Sequence, residues 1–178
     1  MTKRHIEAGM SESKNNPQVV SVAVGLEETA QRPAQRGPEH AKLDVLIGRW
    51  ITEGHTVPSP GAPAARILAS DVYEWAAGGF FVVHPAYGRV GDAEVGGVEI
   101  IGYDAETRSY RSQFFDSFGN INTSRLTVEG DTWTWSGERT RCTAVLSDDG
   151  KTFTAHHERS SDGVTWEASM EVVLRRVD

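Results

Sequence analysis

One cysteine, Cys142, stands in 178 residues. No intrachain disulfide can close, and a chain that forgoes them reads as adapted to a reducing compartment, so a cytoplasmic location is expected. Runs of Lys or Arg are also missing. With 18 Lys and Arg against 25 Asp and Glu, and a net charge of -7, the chain lacks the clustered basic surface that nucleic acid or anionic lipid requires. The apolar run near the start, residues 19–26, is too short to span a bilayer and too far from a basic segment to be a signal peptide. Neither a nucleic-acid nor a membrane partner is expected. Equally absent are a Gly-x-x-x-x-Gly-Lys-Ser/Thr loop, a dinucleotide fingerprint, a Gly-x-Ser-x-Gly elbow and a His-Glu-x-x-His motif, which removes the physical parts of nucleotide, hydrolase and zincin chemistry. Cys142 and the histidines form no Cys-His cluster. Neither a metal nor an organic cofactor is called for.

Residues 1–38 mix Ser, Asn, Gln, Pro and charge with too little apolar surface to offset their ordering entropy, and are expected to form a flexible arm. Within the arm, the β-branched run at residues 19–26 could add a strand to an exposed sheet edge, including that of a second copy, which makes a homodimer one expected state. The rest, residues 39–178, reads as one domain, a size at which a single core can form.

Pro38 suits a first helical turn, Leu43, Leu46 and Ile47 recur at helical spacing, and Gly48 can stop the segment, so a short helix is predicted over residues 39–47. Its single apolar stripe would lie against one end of the following domain. From Arg49 onward, turn signals such as Gly78-Gly79, Gly91-Asp92, Gly119-Asn120, Asp148-Asp149-Gly150 and Asp162-Gly163 punctuate about ten short strands. These are predicted at roughly 49–57, 66–76, 80–89, 94–103, 108–118, 121–128, 131–138, 141–147, 151–160 and 165–176. Loops that short allow only an up-and-down antiparallel order. Ten such strands would leave two unpaired edges unless the sheet closes, and closure at that number leaves an interior wider than side chains alone fill. The Pro58-Ser59-Pro60-Gly61-Ala62-Pro63 loop is expected as a rigid flap over one opening.

Several motifs occur in order: Ile47-Gly48-Arg49-Trp50-Ile51-Thr52-Glu53-Gly54, Tyr73-Glu74-Trp75, Gly78-Gly79-Phe80-Phe81-Val82-Val83-His84, Glu99-Ile100-Ile101-Gly102-Tyr103-Asp104, Phe115-Asp116-Ser117-Phe118-Gly119-Asn120 and Asp162-Gly163-Val164-Thr165-Trp166. Over about residues 40–177 the chain resembles a bacterial family of small calycin-like β-barrel proteins of unknown function, related in fold to lipocalins and nitrobindin-like proteins. The resemblance implies an all-β, about ten-stranded, antiparallel up-and-down barrel with one short N-terminal helix, and a small-molecule ligand inside it. It also implies that Trp50, in the Gly-x-Trp, plugs the barrel base. Nitrobindin-like proteins bind haem through a histidine on a late strand, for which His156-His157 is the nearest pair here.

Strand alternation nominates the inward side chains. Trp133 and Trp135 set one phase, and Phe153, Ala155 and His157 another, which favours His157 over His156 as a lumen residue. On the second strand Ile67, Ala69, Asp71, Tyr73 and Trp75 share a face, so an enclosed Asp71 would need a partner or a task. Its bland alternative is a wet position at the rim. His84 shares a face with Phe80 and Val82, and Glu99 with Ile101 and Tyr103. If the Tyr103 face is interior and the register aligns them, His84 and Glu99 form a pair. Both faces of the fifth strand are mixed, and Gln113 and Phe115 are taken as inward, with Asp116 capping the Gly119-Asn120 turn. The expected ligand contacts are thus Tyr73, Trp75, Tyr103, Gln113, Phe115, Trp133, Trp135 and His157. The favoured function is binding of a small, largely apolar molecule, aromatic ones included, for which five tryptophans give mild support. One alternative is a cofactor-independent isomerase, cyclase or lyase that uses His84 with Glu99 or Asp71 as catalytic acid and base. The other is haem binding through His157.

Overall fold

The computed structural model describes residues 35–177, so the apolar run at residues 19–26 and its proposed strand lie outside the described residues. Ten strands follow one short helical segment: β1 Gly48–Thr56, β2 Arg66–Trp75, β3 Phe81–Val90, β4 Ala93–Asp104, β5 Ser109–Asp116, β6 Ile121–Glu129, β7 Thr132–Gly137, β8 Thr140–Leu146, β9 Thr152–Arg159 and β10 Glu167–Arg176. Every neighbour in sequence is a neighbour in the sheet, and β1 pairs antiparallel with β10, from Trp50↔Arg176 to Thr56↔Met170, so the barrel is closed. Closure removes the two edges that ten meandering strands would otherwise leave unpaired. It also brings backbones close together. At Gly54 a Cβ would come 2.0 Å from the Glu171 carbonyl oxygen, which only glycine avoids.

The predicted helix is present but tighter than expected. Pro38–Lys42 (α1) forms one α-helical turn, after which Leu43–Leu46 continues as a 3-10 turn. The i, i+3 stacking of a 3-10 turn places Leu43 and Leu46 one above the other, and both are fully buried against the barrel end. Gly48, at φ 132°, turns the chain into β1 in a region that a side chain would resist. Two residues beyond it, Trp50 is buried and donates its indole N–H to the Leu46 carbonyl at 2.8 Å. Arg176 lies over the Trp50 ring at 4.4 Å and donates to the Val45 and Ile47 carbonyls, which ties the last strand to the same plug.

The core is concentrated at this end. Phe153 packs between Trp50 and Trp133, at 5.5 and 5.9 Å between ring centroids, and Val82, Ile101, Tyr110 and Leu126 complete the layer. The opposite end carries the β1–β2, β3–β4, β5–β6, β7–β8 and β9–β10 connections. There, the prolyl loop after β1 continues as a narrow hairpin with Thr56 paired to Ala65 and Ser59 paired to Ala62. Asp116 accepts hydrogen bonds from the Phe118 and Asn120 amides and from the Asn120 side chain, the turn-capping arrangement expected of it.

Candidate functional site

Five polar side chains on five strands meet inside the barrel at mid-height. The register supplies most of the geometry: His84 on β3 sits directly opposite Glu99 on β4, and Asp71 on β2 sits opposite Trp50 on β1, with Thr52 two residues further along the same face. The His84 Nδ1 lies 3.0 Å from Glu99 Oε2, and Nε2 lies 3.0 Å from Asp71 Oδ1. Thr52 donates its hydroxyl to the other Asp71 oxygen at 2.5 Å, and Ser112 on β5 donates to the other Glu99 oxygen. All five are nearly enclosed, at 3 to 8 % exposure. Asp71 therefore lies inside the barrel and not at a wet rim, and its charge is met by a histidine.

Burial alone would lower the pKa of the His84 imidazole. The hydrogen bonds to Asp71 and Glu99, with the charge of both carboxylates, outweigh it and raise the pKa to about 9. The Tyr73 ring stacks on the imidazole, centroids 3.8 Å apart and planes 13° from parallel. Burial, followed by the charges of Glu99 and Asp71, drives the Tyr73 phenol well above its ordinary range, so it stays protonated. Among the described residues its hydroxyl has no hydrogen-bond partner. No buried polar atom is left unsatisfied among them, so the hydroxyl must retain reachable surface.

Across the lumen, Cys142 on β8 and His157 on β9 are paired neighbours, with Sγ 3.5 Å from Nε2. Burial pushes the thiol up to about 12, and burial together with the His156 charge pushes the His157 imidazole down to about 4, so both are neutral at physiological pH. Phe114, Trp135 and Met170 share this half of the lumen and, like Cys142 and His157, are only half-buried although they face inward. Inward-facing residues of a closed barrel keep accessible surface where the interior is unfilled or where a mouth opens to solvent. These five lie in the half away from the helix.

The structure sorts the sequence-based candidates into three places. Asp71, Tyr73, His84 and Glu99 come together, and Trp135 and His157 face them from the opposite wall. Trp75, Tyr103 and Trp133 point inward but belong to the sealed end. Trp75 donates its indole N–H to Asp44 at 2.9 Å beneath the Arg36 guanidinium, Tyr103 packs on His40 and Tyr110, and Trp133 is buried in the core. Gln113 and Phe115 are corrections. The β4–β5 register pairs Ile101 with Ser112 and Glu99 with Phe114, so Tyr110, Ser112 and Phe114 are inward, while Gln113 and Phe115 are exposed on the outer wall. Ser112 and Thr52 were missed as site residues. Their small hydroxyls carry no sequence signal, although the alternation that placed Asp71 would have placed Thr52 once the β1 register was known.

A groove of about 820 Å³ also runs along the outer wall of β1, β10, β9 and β8, where Glu171 lies between His55 and His156. Most of its lining is outward-facing, including Glu53, Thr143, Val145, Thr154 and Val173, and none of the five clustered polar side chains lines it. His84 itself cannot gather ligands around one point, because its two nitrogens face carboxylates on opposite sides, and no group of three or more His, Cys, Asp or Glu among the described residues is placed to hold a metal ion.

The family model described as a protein of unknown function (DUF1579) matches residues 35–176, which is the whole helix and barrel. The chain belongs to this DUF1579 family. No curated protein matches it in sequence. Among solved structures it is similar to Rv2717c from M. tuberculosis, with a TM-score of 0.58 at 14% identity, over 80% of this chain and 99% of that one. It is also similar to the S-type phycobiliprotein lyase CPES from Guillardia theta, with a TM-score of 0.47 at 8% identity, over 80% of this chain and 94% of that one. The likeness to Rv2717c is one of fold. Among the described residues, no helix is long and apolar enough to cross a membrane.

Proposed function

We propose that this DUF1579 protein binds one small, largely apolar molecule in the open half of its barrel, with the polar end of the guest against Tyr73. The observation that carries this reading is the half-buried state of Phe114, Trp135, Cys142, His157 and Met170, which face the interior of a closed barrel. A few placed polar groups in an otherwise apolar hollow are the usual make-up of a ligand site. Native mass spectrometry of the freshly purified full chain tests it: a single bound guest per chain, released on unfolding, is expected, and a chain that takes up no apolar compound at any concentration contradicts it.

Proton-transfer catalysis by His84 has less support. Both of its nitrogens are engaged by carboxylates, so the ring can neither accept a proton from a guest nor donate one without first breaking the cluster. Haem ligation through His157 also has less support. The imidazole is neutral, as iron would need, but its Nε2 is already engaged by the Cys142 sulfur, 3.5 Å away, a contact that iron would have to displace.

A further inference from the structure

We propose that the head group this lumen selects is a cationic amine, an ammonium carried on an apolar body; the inference rests on the lumen-binding reading above. The two carboxylates present four oxygens, and each receives one hydrogen bond: from Thr52, from Ser112 and from the two nitrogens of His84. With both acids ionised, all four contacts are donations to carboxylate oxygen, and both nitrogens of the His84 ring between them carry protons. Two negative charges and one positive charge leave a single net negative charge enclosed at mid-barrel.

Among the described residues, no other group at that level compensates for it. Cys142 and His157, on the facing wall, are neutral. Arg176 points inward but lies at the sealed end, bonded to the Val45 and Ile47 carbonyls, and Arg159 lies exposed at the open rim. A charge enclosed without its counter-charge is costly, and a guest that brings the opposite sign recovers that cost.

Tyr73, at 8% exposure, stacks on the His84 ring beside the charged cluster, and its hydroxyl is without a partner among the described residues. A phenol oxygen accepts as well as donates. An ammonium has three donors and no acceptor, so it can give one hydrogen bond to the Tyr73 oxygen and others to the second lone pairs of the carboxylate oxygens. Its alkyl or aryl body then extends along Phe114, Met170 and the Trp135 ring. A carboxylate or sulfonate head would instead add a second negative charge beside Asp71 and Glu99. The lumen is therefore built to reject fatty-acid-like anions.

The test uses the full chain loaded with Nile red, a neutral apolar dye, and displaces the dye at neutral pH with decylamine, decanol and decanoate, which share one chain length. The amine is expected to compete at concentrations at least tenfold lower than the alcohol, with decanoate weakest. Glu99→Gln and, separately, Asp71→Asn each remove one negative charge and should bring the amine and alcohol together to within about threefold. The wild-type ranking decides the matter even where a variant fails to fold. Dye displacement by decanoate as readily as by decylamine, or an amine preference that survives both variants, overturns the head-group assignment while leaving lumen binding intact. A chain that binds neither the dye nor any of the three overturns the lumen-binding reading and this inference together.

Discussion

The Tyr73 ring lies flat on the His84 imidazole, 3.8 Å between centroids, and closes one face of a histidine whose edges are already held by Asp71 and Glu99. Three strands are locked together by this one side chain. Breaking one partner of a buried charge pair is more damaging than never having had the pair, because the remaining charge stays enclosed. Glu99→Ala is accordingly expected to cost about 3 to 5 kcal/mol in urea unfolding. A loss below about 1 kcal/mol would mean that the cluster is not ionised as described.

The pH dependence of stability should carry the signature of His84. Its pKa is raised to about 9 in the folded chain, against about 6.5 unfolded. Below the unfolded value the imidazolium's contribution is present in full. It is lost progressively as pH rises from about 6.5 to 9, by roughly 3 kcal/mol across that window. His84→Gln lowers stability at pH 6 and should flatten this alkaline slope. Urea unfolding at pH 6, 7, 8 and 9 makes the comparison.

His157 acts with the opposite sign. Its pKa is depressed to about 4 by burial and the nearby His156, so the neutral ring's contribution is present above the unfolded value and is lost as pH falls from about 6.5 toward 4. At most about 3 kcal/mol is involved, because the side chain keeps some solvent. His157→Asn should remove that part of the acid limb and leave the alkaline limb untouched.

The facing of β5 is testable with neighbours in sequence. Ser112→Ala deletes a buried donor to Glu99 and should cost about 1 to 3 kcal/mol. Gln113→Ala, on the exposed face, should stay within about 0.5 kcal/mol. Thermal midpoints of the two variants separate the alternatives, and the reverse order would turn the strand over.

Cys142 is a lumen thiol with its pKa pushed up to about 12. Because the thiolate is the reactive form, iodoacetamide at neutral pH should modify it at least tenfold more slowly than it modifies the unfolded chain. Mass spectrometry of timed aliquots reads the rate.

Much of the fold could be read from strand spacing. Ten short strands, the turns between them and the need to close a long meander led to the barrel, and Trp50 and Leu46 marked its sealed end. Alternation also placed Asp71 with Tyr73, because Ile67, Ala69, Tyr73 and Trp75 mark one face of β2 against Arg66, Ser70 and Glu74 on the other. It failed on β5, where Gln113 and Phe115 on one side and Ser112 and Phe114 on the other are equally mixed, and only pairing with β4 breaks the tie. Height along the barrel was also beyond its reach. Trp75, Tyr103 and Trp133 have the right phase for the lumen, yet they lie at the level that the helix and the Trp50 plug fill, and phase carries no information about height. The His84 and Glu99 pairing depended on a register that emerges only from the assembled sheet.

The proposed guest site lies inside the barrel, in the half away from the helix. Ala86, on β3 opposite Asp71, faces that space and is half-buried. Fluorescence titration of the full chain with Nile red, beside Ala86→Trp, measures the claim directly. One dye per wild-type chain, with binding abolished in an Ala86→Trp variant that still unfolds cooperatively, is the predicted result. Undiminished binding to a folded Ala86→Trp variant would place the guest elsewhere and contradict it.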